Sequence, residues 1–298
     1  MFPWSRPPAP AGYADRAWRS AEGLQLHARD YPAAGGPARL PVLCIHGLTR
    51  NARDFEDLAP RLAATGRRVL AVDVRGRGGP DWDPNPLNYQ PPTYVADVLA
   101  LLAAAGIARA HFVGTSMGGL VTLALGAMKP EVVAGAVLND IGPEIAAEGL
   151  ARISQYVGKP APVRDWREAA RYVQRQNVQA LPHYGKTDWA RMARRLFRED
   201  ASGKPVLDYD PQIAVPIAQA GGAAPPSLWP LWDMLTKGRP VLAIRGERSD
   251  LLSAEVFQRM ATSAPAAAFA EVSDVGHAPM LDEPAALQAL DAFFAEHP

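Results

Sequence analysis

A serine between two glycines stands out in the stretch VGTSMGGL, residues 113–120. The pattern G-x-S-x-G, here Gly114, Ser116 and Gly118, is typical of a sharp strand-to-helix turn that exposes a nucleophilic hydroxyl. Glycine is needed on both sides because side chains would collide where the chain doubles back. The segments on either side of the motif agree with a strand-to-helix turn. AHFVG is apolar and strand-like, and LVTLALGAM has helix-forming composition. We predict that Ser116 is a catalytic nucleophile at a strand end.

Two other glycine-rich signatures do not fit this stretch. A phosphate-binding loop requires Lys and then Ser or Thr after its last glycine, whereas Gly119 is followed by Leu120 and Val121. A dinucleotide-binding fingerprint requires a further Gly or Ala three residues after its second glycine, and neither GTSMGG nor RGRGGPD has that spacing. The nucleophile turn is the interpretation that remains.

A serine hydroxyl is a weak nucleophile at neutral pH, so Ser116 requires a general base that is itself oriented by an acid. His277, in DVGHAPML, follows the last apolar strand and is expected at the same sheet edge as Ser116. Four other histidines lie on the opening hairpin, at the far end of the serine's strand, in a helical segment or at the C-terminus: His27, His111, His183 and His297. We predict that His277 is the base.

Two aspartates at strand ends lie between Ser116 and His277 in the sequence. Asp250, in GERSDLLS, follows the strand next to the one that leads to His277, and it is the first choice for the acid. Asp140, at the end of AVLND, is the alternative, and either residue could instead cap a helix. The acid would accept the Nδ1 proton and stabilise the imidazolium.

Two backbone N–H groups are expected to stabilise the oxyanion. Met117 follows the nucleophile and supplies one of them at the start of its helix. The second is expected in IHGLTRN, where Gly47 allows close approach to the substrate and Leu48 presents its N–H. His46 would brace this loop, although a purely structural histidine is the alternative.

The order of apolar and helical segments predicts an α/β fold. An opening β-hairpin with Gly23 in its turn precedes five continuously apolar strands, LPVLCIHG, RRVLAVDVRG, ARAHFVGTS, VVAGAVLND and RPVLAIRGE, with helical patterns between most of them. Continuous apolar strands are buried on both faces, as in a parallel sheet. Residues 141–238 contain helical patterns without a strand and are predicted to form a lid, whereas residues 1–140 and 239–298 form the core.

Composition limits the partners. The 31 basic and 31 acidic residues balance, so neither nucleic acid nor an anionic membrane is expected as a partner. Cys44, the only cysteine, lies in an apolar strand and is expected to be a buried small hydrophobe. Prolines interrupt the N-terminal region and no apolar run is long enough for a membrane span, so we expect a soluble cytoplasmic protein.

In order, the motifs HGL, DVRGRGG, GTSMGG, GERSD and GH resemble those of the α/β-hydrolase superfamily and span nearly the whole chain. The resemblance implies an eight-stranded, mostly parallel sheet with helices on both faces, a helical cap after the sixth strand, and a triad of Ser116, Asp250 and His277. It also implies that DVRGRGG is mainly a structural turn. Dehalogenases and epoxide hydrolases of this superfamily carry Asp where Ser116 stands, which argues against both activities.

The resemblance favours cleavage of a small carboxylic ester or lactone through an acyl-enzyme, without a metal or organic cofactor. The loop HGLTRN lacks both the glycine run of one esterase and lipase group and the HGxGPG loop of carbon–carbon bond hydrolases. An amide or carbon–carbon bond hydrolase, a lyase and a non-catalytic binding protein remain as alternatives. Trp189 and Tyr184 of the predicted lid are candidates for the substrate pocket. The natural substrate and the oligomeric state stay open.

Overall fold

The computed structural model describes residues 12–79, 81–219 and 226–298. The first eleven residues of the predicted core and residues 220–225 of the predicted lid lie outside this description. Ten strands occur in the described part of the chain: β1 (Ala14–Arg19), β2 (Gln25–Tyr31), β3 (Val42–Ile45), β4 (Val69–Asp73), β5 (Ala110–Thr115), β6 (Val133–Asn139), β7 (Phe197–Glu199), β8 (Pro205–Leu207), β9 (Val241–Gly246) and β10 (Ala268–Val272).

Eight of these strands form one sheet in the order β1-β2-β4-β3-β5-β6-β9-β10. β2 pairs antiparallel with both β1 and β4, and every other pairing in the sheet is parallel. β1 and β2 form the predicted opening hairpin, and Gly23 adopts a φ of 90° between them. The structure therefore confirms the eight-stranded, mostly parallel sheet.

Helices cover both faces of this sheet. The α-helices are α1 (Leu58–Ala63), α2 (Pro91–Ala105), α3 (Met117–Met128), α4 (Ala147–Ser154), α5 (Trp166–Asn177), α6 (Lys186–Leu196), α7 (Val215–Gln219), α8 (Trp229–Thr236), α9 (Ala254–Ser263) and α10 (Pro284–Glu296). None of the helices in these ranges is both long and apolar enough to cross a bilayer.

Alternate residues of β3 show how the two layers are built. Leu43 and Ile45 join the apolar core that includes residues of α2 and α3, whereas Val42 and Cys44 join the core that includes residues of α1 and α10. All four side chains are fully buried, as the continuous apolar run predicted. Burial raises the pKa of the Cys44 thiol, so this side chain is the predicted buried hydrophobe.

The chain between β6 and β9 contains α4 to α8 and the β7–β8 hairpin, and none of these elements joins the large sheet. The last helix, α8, packs on α3, where the side chain of Leu235 lies close to Gly126. Its Trp232 is buried and donates a hydrogen bond of 3.0 Å to Ser263 of α9. α8 thus packs on two helices of the core. The β7–β8 hairpin corrects the prediction that residues 141–238 contain no strand.

Candidate active site

The turn at Ser116 has the strained geometry that the motif predicted. Ser116 joins β5 to α3 with φ 52° and ψ −115°, a region that residues other than glycine rarely occupy. A Cβ on Gly114 would lie 2.4 Å from the carbonyl oxygen of Gly118, and a Cβ on Gly118 would lie 2.0 Å from that of Ile45. Both glycines are therefore steric requirements of the turn.

A hydrogen-bonded relay joins three side chains at the carboxyl edge of the sheet. Nε2 of His277 lies 2.9 Å from Oγ of Ser116, and its Nδ1 lies 2.7 Å from Oδ2 of Asp140. Ser116 comes from the end of β5, Asp140 directly follows β6, and His277 lies in the loop after β10. The arrangement is that of a nucleophile, a base and an orienting acid.

Asp140 is held in place by more than the histidine. Its side chain is completely buried, and its carboxylate accepts hydrogen bonds from the Gly246 N–H at 2.8 Å and the Ser249 hydroxyl at 2.6 Å. The backbone at Asp140 has a φ of 55°, which turns the residue out of the strand direction. Sequence reasoning missed Ser249, although this serine stands inside the GERSD motif and was available there as a signal.

Asp250, the first choice from the sequence, does not contact His277. Its carboxylate is bound by Arg152 of α4, with Nε and Nη2 at 2.5 and 2.9 Å from its two oxygens. Burial alone would raise the pKa of Asp250, but the hydrogen bonds and charge of Arg152, with a contribution from His277, lower it overall. The alternative acid, Asp140, is the one that the structure places on His277.

His46 fixes the loop that carries Leu48. Its Nε2 accepts a hydrogen bond from the Val74 N–H at 3.0 Å, so Nδ1 carries the proton and donates to the carbonyl oxygen of Gly47 at 2.7 Å. Burial lowers the pKa of His46 to about 4, which keeps this ring neutral. A trans peptide directs its N–H opposite to its C=O, so holding the Gly47 carbonyl also fixes the direction of the Leu48 N–H.

The two predicted oxyanion donors flank the serine. Met117 is the first residue of α3, where a backbone N–H has no partner within the helix. No hydrogen bond to the N–H of Leu48 or Met117 occurs within the described ranges. Arg77 connects the two residues, since its Nε donates to the Leu48 carbonyl at 2.8 Å and its Nη2 lies 3.5 Å from the sulfur of Met117.

The serine and the histidine open onto a cavity beneath the inserted helices. Its wall combines apolar side chains with polar groups from several elements: Phe55, Ile153, Val173, Leu181, Met192, Leu196, Leu207, Arg50, Asp54, Arg152, Tyr156, Tyr172, Gln176, Asn177 and Tyr209. Ser116 is 8% exposed, as expected for a hydroxyl at the bottom of such a cavity. The described ranges contain no cluster of His, Cys, Asp and Glu side chains arranged to hold a metal ion.

Trp189 and Tyr184, the candidates for the substrate pocket, do not line this cavity. Trp189 is 3% exposed and packs against Tyr184, with ring centroids 5.1 Å apart. Trp189 belongs to an apolar core that includes residues of the inserted helices and of the sheet, and Tyr184 packs against it. Both are therefore packing residues.

Known proteins are similar to this chain in sequence and in fold. A 3-hydroxybutyrate-oligomer hydrolase of Cupriavidus necator is 34% identical over 277 residues, which covers 90% of this chain and 93% of that protein. A 2-(acetamidomethylene)succinate hydrolase of Mesorhizobium japonicum is 26% identical over 228 residues, or 75% and 76% of the two chains. The crystal structure of an alpha/beta hydrolase from Novosphingobium aromaticivorans superposes with a TM-score of 0.89 and 46% identity, covering 96% and 99%.

The family model of the alpha/beta hydrolases matches residues 42–290, a range that contains Ser116, Asp140 and His277. The fold, the strained turn at Ser116 and the similarity along most of the sequence agree with this match. The chain is a hydrolase that belongs to the alpha/beta hydrolase family.

Proposed function

We propose that this protein hydrolyses carboxylic esters through an acyl-enzyme formed on Ser116. The observation that carries the proposal is the continuous relay from Ser116 through His277 to Asp140, with contacts of 2.9 and 2.7 Å. This relay ends in a cavity where an ester carbonyl can reach the serine hydroxyl. An oriented base beside a hydroxyl is what converts serine into a nucleophile.

In the first step, Oγ of Ser116 attacks the ester carbonyl carbon while Nε2 of His277 takes the hydroxyl proton. The negative charge on the carbonyl oxygen is stabilised by the N–H groups of Met117 and Leu48. Asp140 accepts the Nδ1 proton of the imidazolium in a hydrogen bond and does not itself become protonated. His277 then gives its proton to the leaving alkoxide as the carbon–oxygen bond breaks.

In the second step, a water molecule attacks the acyl-enzyme. His277 takes a proton from this water, the same oxyanion donors stabilise the tetrahedral intermediate, and the proton returns to Oγ of Ser116 as the acid leaves. One water is consumed for each ester bond cleaved. The overall products are a carboxylic acid and an alcohol.

The relatives suggest which esters to test first. The Cupriavidus necator protein is a 3-hydroxybutyrate-oligomer hydrolase, and it aligns over nearly the whole length of this chain. Units of such an oligomer are joined by ester bonds between a hydroxyl and a carboxyl group. The mixed polar and apolar wall of the cavity suits a short hydroxy acid better than a long acyl chain. We therefore propose short esters of hydroxy acids as the substrate class.

Hydrolysis of p-nitrophenyl esters from acetate to laurate, and of the linear dimer of 3-hydroxybutyrate, tests the proposal. We expect turnover of the dimer and the short esters, and loss to background in Ser116→Ala. Ser202→Ala, an exposed serine in the β7–β8 turn, is the control and should match the wild type. Mass spectrometry of a slow substrate should show an acyl adduct on Ser116. Folded wild type that cleaves none of these esters would favour an amide hydrolase, a carbon–carbon bond hydrolase or a lyase, and turnover without an adduct on Ser116 would contradict the acyl-enzyme.

A further inference from the structure

Two arginines line the cavity in front of Ser116, and their guanidinium groups are held in the same way. Nε and Nη2 of Arg50 each lie 2.7 Å from an oxygen of Asp54, and Nε and Nη2 of Arg152 bind both oxygens of Asp250. Each pairing fixes the plane of the guanidinium and leaves its Nη1 group outside the carboxylate contact. Arginines held in this way can present N–H donors to a bound anion.

The two arginines belong to different parts of the cavity wall. The Cγ atom of Arg50 lies 3.5 Å from where a Cβ of Gly47 would be, so this residue belongs to the loop that carries the oxyanion donor. Arg152 comes from α4 and is bound to Asp250, in the loop that follows β9. Asp250 directly follows Ser249, whose hydroxyl donates to Asp140 at 2.6 Å, and Asp140 in turn lies 2.7 Å from Nδ1 of His277, so this ion pair lies on the same side of the cavity as the base.

His277 donates its proton to the leaving alcohol, so groups on its side of the cavity face the leaving group. The side chain of Arg152 is 32% exposed, which is enough for contact with a ligand in the cavity that it lines. In an ester whose alcohol part is a 3-hydroxy acid, two carbon atoms separate the ester oxygen from the carboxyl group. A terminal unit of this kind brings a carboxylate to the His277 side of the cavity.

We propose that Arg152 is the specificity-determining residue for this reaction and binds the free carboxylate of the leaving hydroxy acid. The inference rests on the proposed ester hydrolysis and names its substrate class: esters whose alcohol portion ends in a carboxylate. Such an enzyme releases hydroxy acid units from the carboxyl end of a short oligomer. Planar guanidinium groups match carboxylates in geometry and charge, and Asp250 sets the orientation of this one.

Tyr156 adds a neutral donor at the same place. It lines the cavity and accepts a hydrogen bond from Arg152, and the charges of both Arg152 and Arg50 act on it. Burial nevertheless raises the pKa of Tyr156, so its hydroxyl stays protonated and can donate to an anion. This end of the cavity therefore offers a cation and a hydroxyl donor together.

The test compares the 3-hydroxybutyrate dimer as free acid with its methyl ester, which has the same scissile bond but no terminal charge. We expect kcat/KM of the wild type to favour the free acid by about 10- to 100-fold, the range for a hydrogen-bonded charged group. In Arg152→Gln this ratio should fall to about one, and Arg152→Lys should retain part of it. Arg164→Gln, which removes an exposed arginine outside the cavity wall, is the control and should keep the full ratio.

Binding of the product separates this inference from the proposed function. In Ser116→Ala, calorimetry should show that 3-hydroxybutyrate binds and that its methyl ester binds at least about tenfold more weakly. Adding Arg152→Gln should remove this difference. A wild type that prefers the methyl ester, or a ratio that survives Arg152→Gln but is lost in Arg50→Gln, would overturn the role of Arg152. Lack of turnover together with selective product binding would instead contradict only the ester hydrolysis.

Discussion

The Nδ1 atom of His277 lies 2.7 Å from the carboxylate of Asp140, and this contact joins two residues that are 137 positions apart in the chain. Asp250 lies close enough for the charge of His277 to affect its pKa, yet its carboxylate is bound by Arg152. Two acids therefore stand near one base. Only the first has the hydrogen bond that fixes the tautomer.

Replacement of each acid by its amide distinguishes their roles. Asp140→Asn should lower kcat for a neutral p-nitrophenyl ester by about 10⁴-fold, because the imidazole loses both its orientation and its compensating charge. Asp250→Asn should lower it by less than about tenfold, since this change only loosens Arg152. Circular dichroism of both variants checks that the fold is kept. A larger loss in Asp250→Asn than in Asp140→Asn would assign the acid to the loop after β9.

The sequence was sufficient to predict the serine and the histidine as a pair, because each stands in a short motif at the end of a strand. It did not decide between the acids, since Asp140 and Asp250 follow neighbouring strands of the sheet. The choice depends on distant contacts: Ser249 and Gly246 bind Asp140, and Arg152 binds Asp250. Gly246, Ser249 and Asp250 all stand in the GERSD motif, so the motif marks the loop, but it does not show which partner each of its groups binds.

The parallel sheet and the opening hairpin were predicted from apolar runs and turn residues, and the eight strands were implied by the family resemblance, but the packing of the inserted helices was not predicted. Trp189 is buried and Tyr184 half-buried beside it because α5 and α6 pack on each other, a contact between segments that the sequence pattern does not show. Its last helix, α8, packs on α3 instead. The cytoplasmic location and the expected absence of nucleic-acid and membrane partners stay predictions.

His46 should affect the chemical step without touching the substrate. His46→Ala removes the hydrogen bond to the Gly47 carbonyl and so releases the peptide that carries the Leu48 N–H. We expect kcat to fall by about 10²-fold, the loss typical of one misplaced oxyanion donor, with KM changed less than about threefold. His27→Gln is the matched control. His27 lies on β2 and binds Asp73 of β4 and Asp15 of β1. A parallel rise in KM would indicate damage to the cavity instead.

Acid should destabilise the protein through two buried histidines. Burial lowers the pKa of both His46 and His111 to about 4, below the ordinary value near 6.5. Below pH 6.5 the unfolded chain therefore binds protons more readily than the folded one. The stability that each neutral ring contributes is full above pH 6.5 and is lost as the pH falls toward 4, by roughly 3 kcal/mol for each ring. Urea unfolding between pH 8 and pH 4.5 measures this loss.

The contribution of His111 to the loss of stability in acid can be removed by a substitution outside the active site. Its ring packs edge-on against Phe293 and Phe294, and neither nitrogen has a hydrogen-bond partner in the described part of the chain. His111→Leu should flatten the acid-induced loss of stability and make the variant more stable than the wild type at pH 5. His183→Leu makes the same change at an exposed histidine and is the control. Equal pH dependence in all three proteins would contradict the assignment to His111.

Gly118 tests whether the strained turn is required by packing. A Cβ at this position would lie 2.0 Å from the carbonyl oxygen of Ile45 and 3.0 Å from that of His46, so Gly118→Ala must displace backbone of β3 or of α3. Overpacking of this kind costs about 1 to 3 kcal/mol or more, and here it also separates Ser116 from the Leu48 loop. We expect a lower Tm together with loss of activity, measured by thermal unfolding and by the p-nitrophenyl acetate assay.

Gly185→Ala adds the same methyl group where the nearest neighbour is 3.7 Å away, and it should change the free energy of unfolding by less than about 1 kcal/mol. Wild-type activity in Gly118→Ala would show that the backbone yields at this point without moving the serine.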